Sequence, residues 1–444
     1  MAPIMEVVEI IRSTSPASKT YLTCSDLIVR QYCPGVIVGF SYEINASMLK
    51  AALNTVVDQH YRILTGRLQQ DTEDHLYVDD SNSGFPFSVS KDNEASLSSI
   101  LPTLSRPLAQ EIQPVTTTGG PFLPQLDLVA YLAGKGPLCA LQLTNVQDGS
   151  ILGLSISHVL TDAEGFGQLF YDLSRAYQGL SVSPKAPSRF AMQQLASQAA
   201  GSTARQLKDK ELIESLPRYP PPASTFQEMV DQGLYDIVGT TAAERKAGVW
   251  HSHHLLHLPG KGLERLRGSL LASAIAQEKG ITKLSVHDLM AALVWIAREI
   301  SEGNDLSSGL KRCFCYAVDL RRLPGQKGSE IPQGFWGNAV TANCIMPPEM
   351  PACSSTPRES HLHNVFASAA CAIRAGTDKT RADSGFWKTA MSLVGEMAEH
   401  DYWKRLSQQA DFHPFKESAA MFTAWRSGSV DKADFGHGVP WIVG

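Results

Sequence analysis

Leu138-Cys-Ala-Leu-Gln-Leu-Thr144 and Ile151-Leu-Gly-Leu-Ser-Ile-Ser157 flank Gln147-Asp148-Gly149-Ser150, and His158-Val-Leu-Thr-Asp162 follows at once. The two apolar runs read as strands. The Asp-Gly between them is a strong hairpin-turn signal, because Gly accepts the positive φ that tight turns need. From about Ala163 the period changes: Phe166, Leu169, Phe170, Leu173 and Tyr177 fall on one helical face. Thr161 with Glu164 has the spacing of a capping box, which predicts a stiff turn between strand and helix. A histidine in such a turn sits where reactive side chains gather in α/β proteins, and Asp162 is placed to pair with a cation or to fix the loop.

Working outward, strands and helices alternate, so the chain reads as mixed α/β. Val36 to Tyr42 is a strand ending at Asn45, a helix start, and Met48 to Tyr61 is an amphipathic helix. Between Gly179 and Pro222 the sequence turns polar and rich in Ala and Gln. This marks a crossover, with a domain boundary near residue 190. The expected division is an N-terminal domain over 1–190, a linker over 191–249 and a C-terminal domain over 250–444. The second part restarts with a strand at Trp250 to Leu258 and helices over Gly262 to Gln277 and Ser285 to Ile300, followed by a strand from Cys313 to Leu320.

The 444 residues are 43% hydrophobic and 19% charged, as in a globular protein, with a net charge of −5 that offers no general attraction to nucleic acid or anionic membrane. No run of eighteen apolar residues is present, and the N-terminus lacks the pattern of a signal peptide. The eight cysteines form no Cys-x-x-Cys pair and sit in apolar runs. A cytoplasmic protein is expected.

His-x-x-x-Asp occurs twice. His75 lies among five acidic residues on a polar strand and reads as a solvated strand end. His158 follows a buried strand, and its residue type suits proton transfer near neutrality. His251, His253 and His257 would share one face of a strand, but no metal is expected there.

Further motifs follow in order: Leu64-Thr-Gly-Arg-Leu68, Ser285-Val-His-Asp-Leu-Met-Ala-Ala-Leu-Val-Trp295, Val318-Asp-Leu-Arg-Arg322, Gly337-Asn338-Ala339-Val340, Phe422-Thr-Ala-Trp425 and Asp434-Phe435-Gly436-His437-Gly438. With His158-x-x-x-Asp162, this series resembles the BAHD acyltransferases, whose fungal natural-product branch of trichothecene acetyltransferase-like enzymes looks the nearer. His437 stands where the family usually has Trp, Ala163 where Gly commonly follows the motif Asp, and the chain stops six residues after Gly438. Because family members usually run on through further strands, an uncovered sheet edge and self-association are expected here, although monomers are the family habit.

The resemblance implies two similar-sized mixed-sheet domains with a channel between them. It also implies transfer of an acyl group, acetyl first, from acyl-CoA to a hydroxyl or amine of a small secondary metabolite, with no permanently bound cofactor. His158 would be the general base and Thr423 and Trp425 the oxyanion donors, with Asp162 bridging to Arg321 and the box of Asp434 and Gly436 structural. Thr282, Lys283 and Ser285, at the start of a helix, would face the CoA phosphates through free backbone N–H groups and the lysine charge. Two rivals share this outline: a condensation-type domain drawing acyl groups from a carrier protein, and an inactive ligand-binding relative.

Overall fold

The computed structural model describes residues 4–16, 18–22, 26, 33–72, 76–80, 83–97, 113–115, 120–182, 253–255, 260–301, 303–322, 331, 334–349, 358–382, 418–422, 429–440 and 442–443. The division near residue 190, the linker over 191–249, and His75, His251 and His257 lie outside them.

The first part runs β1 (Ile4–Ile11), β2 (Lys19–Tyr21), β3 (Gly35–Phe40), α1 (Ala46–Val56), β4 (Arg67–Gln70), β5 (Leu76–Asp79) and β6 (Phe85–Lys91). It continues with β7 (Gln113–Val115), α2 (Leu128–Leu132), β8 (Cys139–Val146), β9 (Gly149–Ile156) and α3 (Ala163–Tyr177). The second part has β10 (His253–Leu255), α4 (Gly260–Leu271), α5 (Ala274–Glu278), α6 (Val286–Ser301) and β11 (Cys313–Asp319). It ends with β12 (Val340–Ile345), α7 (Arg358–Ala382), β13 (Ser418–Phe422) and β14 (Ile442–Val443).

The predicted hairpin is β8–β9, in register from Cys139 opposite Ile156 to Val146 opposite Gly149. The turn is therefore Gln147-Asp148, tighter than the four residues expected. Gly149 lies so close to the next strand that a Cβ would stand 2.0 Å from the Phe40 carbonyl oxygen. All eight residues of β9 are buried, which explains its unbroken apolar run: the strand is covered on both faces. The hairpin is central in a six-stranded sheet of order β1-β6-β8-β9-β3-β14.

Helix α1 starts where the sequence predicts, with the Asn45 side chain accepting from Met48 N at 3.0 Å. It runs into a π-turn over Val57–Tyr61, which delivers the Tyr61 hydroxyl to Asp172 on α3. The core of this sheet takes in Phe87, Leu141, Leu154, Phe166 and Phe170, and also Trp336, Val430 and Phe435 from far along the chain.

A second core joins α4, α6 and α7 to β11 and its neighbours around Trp295 and Phe314. There β11 lies between β12, antiparallel, and β13, parallel. The helix expected over Gly262 to Gln277 is two helices. Ser273 caps the second by accepting from Ala276 N at 3.2 Å, so the serine hydroxyl competes successfully with helix continuation. The parts are sewn together at two further places: β10 pairs with β7, and β14 pairs with β3 at the edge of the first sheet.

The box grouped by sequence with the C-terminal half packs in the first core. Phe435 is 1% exposed, wedged edge-on against Phe40 and Tyr177. Asp434 Oδ1 accepts from Gly436 N at 2.7 Å and Gly438 N at 2.9 Å. That loop needs φ of +98° at Gly436 and +118° at Gly438, a region open to glycine and strained for other residues. Phe435 N donates to the Tyr42 hydroxyl, which donates to the Gly438 carbonyl at 2.8 Å.

Candidate active site

Strand β9 ends at Ile156 and α3 starts at Ala163, leaving His158 in a short turn whose geometry is set from both ends. The N-cap of α3 is Asp162, in extended conformation and accepting from Gly165 N at 3.2 Å. This corrects the capping box expected at Thr161, whose buried hydroxyl has no hydrogen-bond partner among the described residues. A carboxylate in that place serves the helix dipole better than a hydroxyl can, and it can also take a cation.

That cation is Arg321, as the resemblance implied. Its Nη1 and Nη2 reach the two Asp162 oxygens at 2.9 and 3.3 Å. Nη1 also reaches Asp319 Oδ1 at 3.1 Å, and Nη2 the Gly337 carbonyl at 2.6 Å. Burial works against the guanidinium, but the Asp162 and Asp319 carboxylates outweigh it and push its pKa above the usual value. Asp162 Oδ2 also accepts from Ala339 N at 2.9 Å. One carboxylate therefore ties the histidine turn to the segment before β12. Trp336 adds a second tie, donating from Nε1 to the Gly165 carbonyl at 2.7 Å.

His158 is half-buried, and its ring Nδ1 lies 3.0 Å from Asn338 Oδ1. Asn338 Nδ2 donates to Asp26 Oδ1 at 2.9 Å and to the His158 carbonyl at 2.7 Å. Nε2 makes no hydrogen bond to any described residue. Burial is the largest influence on the ring and pushes its pKa below the ordinary histidine value. The ring's own backbone carbonyl, Asp162, Asn338 and Asp26 pull the other way. The turn thus presents a neutral imidazole with one nitrogen engaged and the other unbonded among the described residues, an arrangement able to accept a proton.

Asp26 and Asn338 were not singled out as site residues in the sequence. Asn338 stood in the Gly-Asn-Ala motif without a role, and Asp26 lies 312 residues from it, so no local spacing connects them.

Among the other candidates, Thr423 and Trp425 lie outside the described residues, just past the end of β13. Thr282, Lys283 and Ser285 precede α6, away from the histidine turn in sequence; Thr282 and Lys283 are exposed, and Leu284 between them and Ser285 is buried in the second core. The Ser285 amide and hydroxyl donate to Asp288 Oδ2 at 2.7 and 2.8 Å, and Asp288 N donates back to Ser285 Oγ at 3.2 Å. The Ser285 amide is thus taken up by the Asp288 carboxylate and is not the free donor expected from the sequence. Burial raises the Asp288 pKa most, yet His287, Ser285 and Arg374 bring it below the usual value. The described residues contain no group of three or more metal-ligating side chains and no helix long and apolar enough to cross a membrane.

The profile of the Transferase family matches residues 18–444. Among solved structures the chain is similar to vinorine synthase, with 16% identity over 99% of this chain and 87% of that one and a TM-score of 0.57. It is also similar to F. graminearum TRI101 complexed with ethyl coenzyme A, with 13% identity, 96% and 88% coverage and a TM-score of 0.55. The same enzyme with coenzyme A and T-2 mycotoxin gives 13% identity over 96% and 88%, and a TM-score of 0.54. At these identities the likeness establishes a shared two-domain mixed α/β fold. No curated protein matches the chain.

Proposed function

The chain belongs to the Transferase family, and from that premise we propose that it moves an acyl group from acyl-CoA to a hydroxyl or amine, with His158 as general base. The observation that carries this reading is the state of the His158 ring: Nδ1 is held by Asn338, and Nε2 bonds to none of the described residues. The structures of TRI101 with ethyl coenzyme A, and with coenzyme A and T-2 mycotoxin, support a CoA thioester as donor and a small molecule as acceptor.

In this mechanism Nε2 takes the proton from the acceptor as its oxygen or nitrogen attacks the thioester carbonyl. The tetrahedral intermediate collapses with loss of the CoA thiolate, and the imidazolium returns the proton to that sulfur. A thioester is already activated, so no acyl-enzyme is required. Thr423 and Trp425 are proposed as donors to the oxyanion, where preorganised N–H and O–H groups count most. Asp162 and Arg321 do not touch the reacting atoms; they hold the turn. Thr282, Lys283 and Ser285 are proposed to meet the CoA phosphates. Acetyl as the acyl group, a secondary metabolite of the kind taken by the fungal branch as acceptor, and a cytoplasmic protein complete the reading. So do two domains, 1–190 and 250–444, joined by a linker over 191–249, with a channel between the domains.

The test is thiol release from acetyl-CoA in the presence of a panel of hydroxylated and aminated small molecules, with products identified by mass spectrometry. Wild type and His75→Ala should turn over alike, whereas His158→Ala should lose about 10²- to 10⁴-fold, the usual worth of a general base. Transfer only from a carrier-protein thioester would replace this reading with a condensation-type one. Binding without turnover for every donor would leave an inactive relative.

A further inference from the structure

Asp26 is a carboxylate buried beside the histidine turn, 1% exposed. Its Oδ1 accepts from the Asn338 amide at 2.9 Å. Both hydrogen bonds from Asn338 Nδ2, to Asp26 Oδ1 and to the His158 carbonyl, go to groups that can only accept. Rotating the amide by half a turn would set Oδ1 against these two oxygens and lose both bonds. The amide orientation is therefore fixed, and Oδ1 is the atom that faces His158 Nδ1 at 3.0 Å. A carbonyl oxygen cannot donate. The ring nitrogen opposite must carry the proton, and the lone pair lies on Nε2.

We propose that Asp26 is a positioning residue for His158, acting through Asn338: its carboxylate locks the amide so that the ring holds its proton on Nδ1 and offers Nε2 to the acceptor substrate. The proposal rests on His158 being the general base. The chain supplies the three members from three places: Asp26 ahead of β3, His158 after β9 and Asn338 ahead of β12. Without Asp26 the amide is held by one backbone carbonyl alone. With it, the negative charge also polarises the amide, so that Oδ1 becomes the stronger acceptor. Among the described residues, the charged groups acting on the ring are Asp26 and Asp162, and the latter is paired with Arg321.

The experiment has two parts. In wild-type protein labelled with ¹⁵N-histidine, ring shifts assigned to His158 by their loss in His158→Ala should report a proton on Nδ1. In Asp26→Asn, which keeps an acceptor oxygen but loses the charge, an Nε2–H form should appear. kcat should fall on the order of tenfold, about one unit of differential protonation. The KM for acyl-CoA should stay the same, and the acid limb of the pH profile should move to lower pH. The double variant His158→Ala/Asp26→Asn should be no slower than His158→Ala, since the relay acts only through the ring.

An Nε2–H ring in the wild type overturns the proposal, and that measurement does not depend on how Asp26→Asn folds. So does an Asp26→Asn enzyme with unaltered kcat and tautomer, or a double variant whose losses multiply. Wild-type turnover in His158→Ala would instead sink the general-base reading, while the wild-type spectrum would still decide the tautomer.

Discussion

Asp162 and Arg321 are separated by 159 residues and meet fork to fork, Nη1 on Oδ2 at 2.9 Å and Nη2 on Oδ1 at 3.3 Å, with the aspartate side chain 2% exposed. The same aspartate caps α3 and receives the Ala339 amide. It is a hinge pin between the histidine turn and the segment before β12, and its charge is committed before any substrate arrives.

Asp162→Asn should therefore lose stability and activity together. Removing the Asp162 charge leaves the buried Arg321 with Asp319 as its remaining carboxylate, at a cost of up to about 3–5 kcal/mol. Arg321→Lys keeps the charge but not the fork, and should retain less than half of that stabilisation. Thermal unfolding with turnover measured on the folded fraction checks both. An Asp162→Asn protein as stable as wild type would contradict the role described.

The pH dependence follows from the His158 ring. Burial disfavours its charged form, so its pKa lies below the ordinary value of about 6.5. The base is neutral at pH 7, and kcat/KM should stay level until the pH drops below that value, then decline with a single proton. The same shift contributes stability that is present above the unfolded-state pKa and lost as pH falls, since the unfolded chain takes up that proton first. A kcat/KM profile whose acid limb lies above pH 7 would refute the assignment.

Phe435→Ala should destabilise the N-terminal core although it lies near the other end of the chain. Truncating a buried phenylalanine costs about 3–5 kcal/mol. Hydrogen exchange should show the loss in β3 and α3, which Phe40 and Tyr177 represent, with the core around Trp295 unaffected. Loss confined to the second core would show the packing to be otherwise.

Gly436→Ala isolates backbone strain. A Cβ there meets nothing within 4 Å and φ is +98°, so any cost comes from conformation alone, about 1–2 kcal/mol. The urea midpoint should fall with an unchanged slope.

Much of the fold could be read locally. Asn45 as helix start, the Asp-Gly hairpin and the face of α3 are written within a few residues, where period and turn chemistry act. The misreadings arose where two local solutions compete. Thr161 and Asp162 can each cap a helix, and the distant Arg321 and Ala339 favour the carboxylate. Ser273 divides a helix whose apolar period runs on. Of the site, His158, Asp162 and Arg321 were legible, the last through family resemblance. Asp26 and Asn338 meet His158 through pairings 180 and 312 residues long, and such distances leave no trace in a pattern of neighbours.

The Tyr42 hydroxyl and the Gly438 carbonyl, 396 residues apart, lie in one hydrogen bond, beside the ring of Phe435. On the ribosome, at roughly 5–20 residues per second, about 20–80 seconds separate their syntheses. For all of that interval the first sheet exists without the aromatic plug that fills the space between β3 and α3 and without the strand that covers its edge. A nascent chain must hold an unfinished apolar pocket while everything else is being made, which marks chaperone dependence and stalled translation as the conditions under which this protein would be lost.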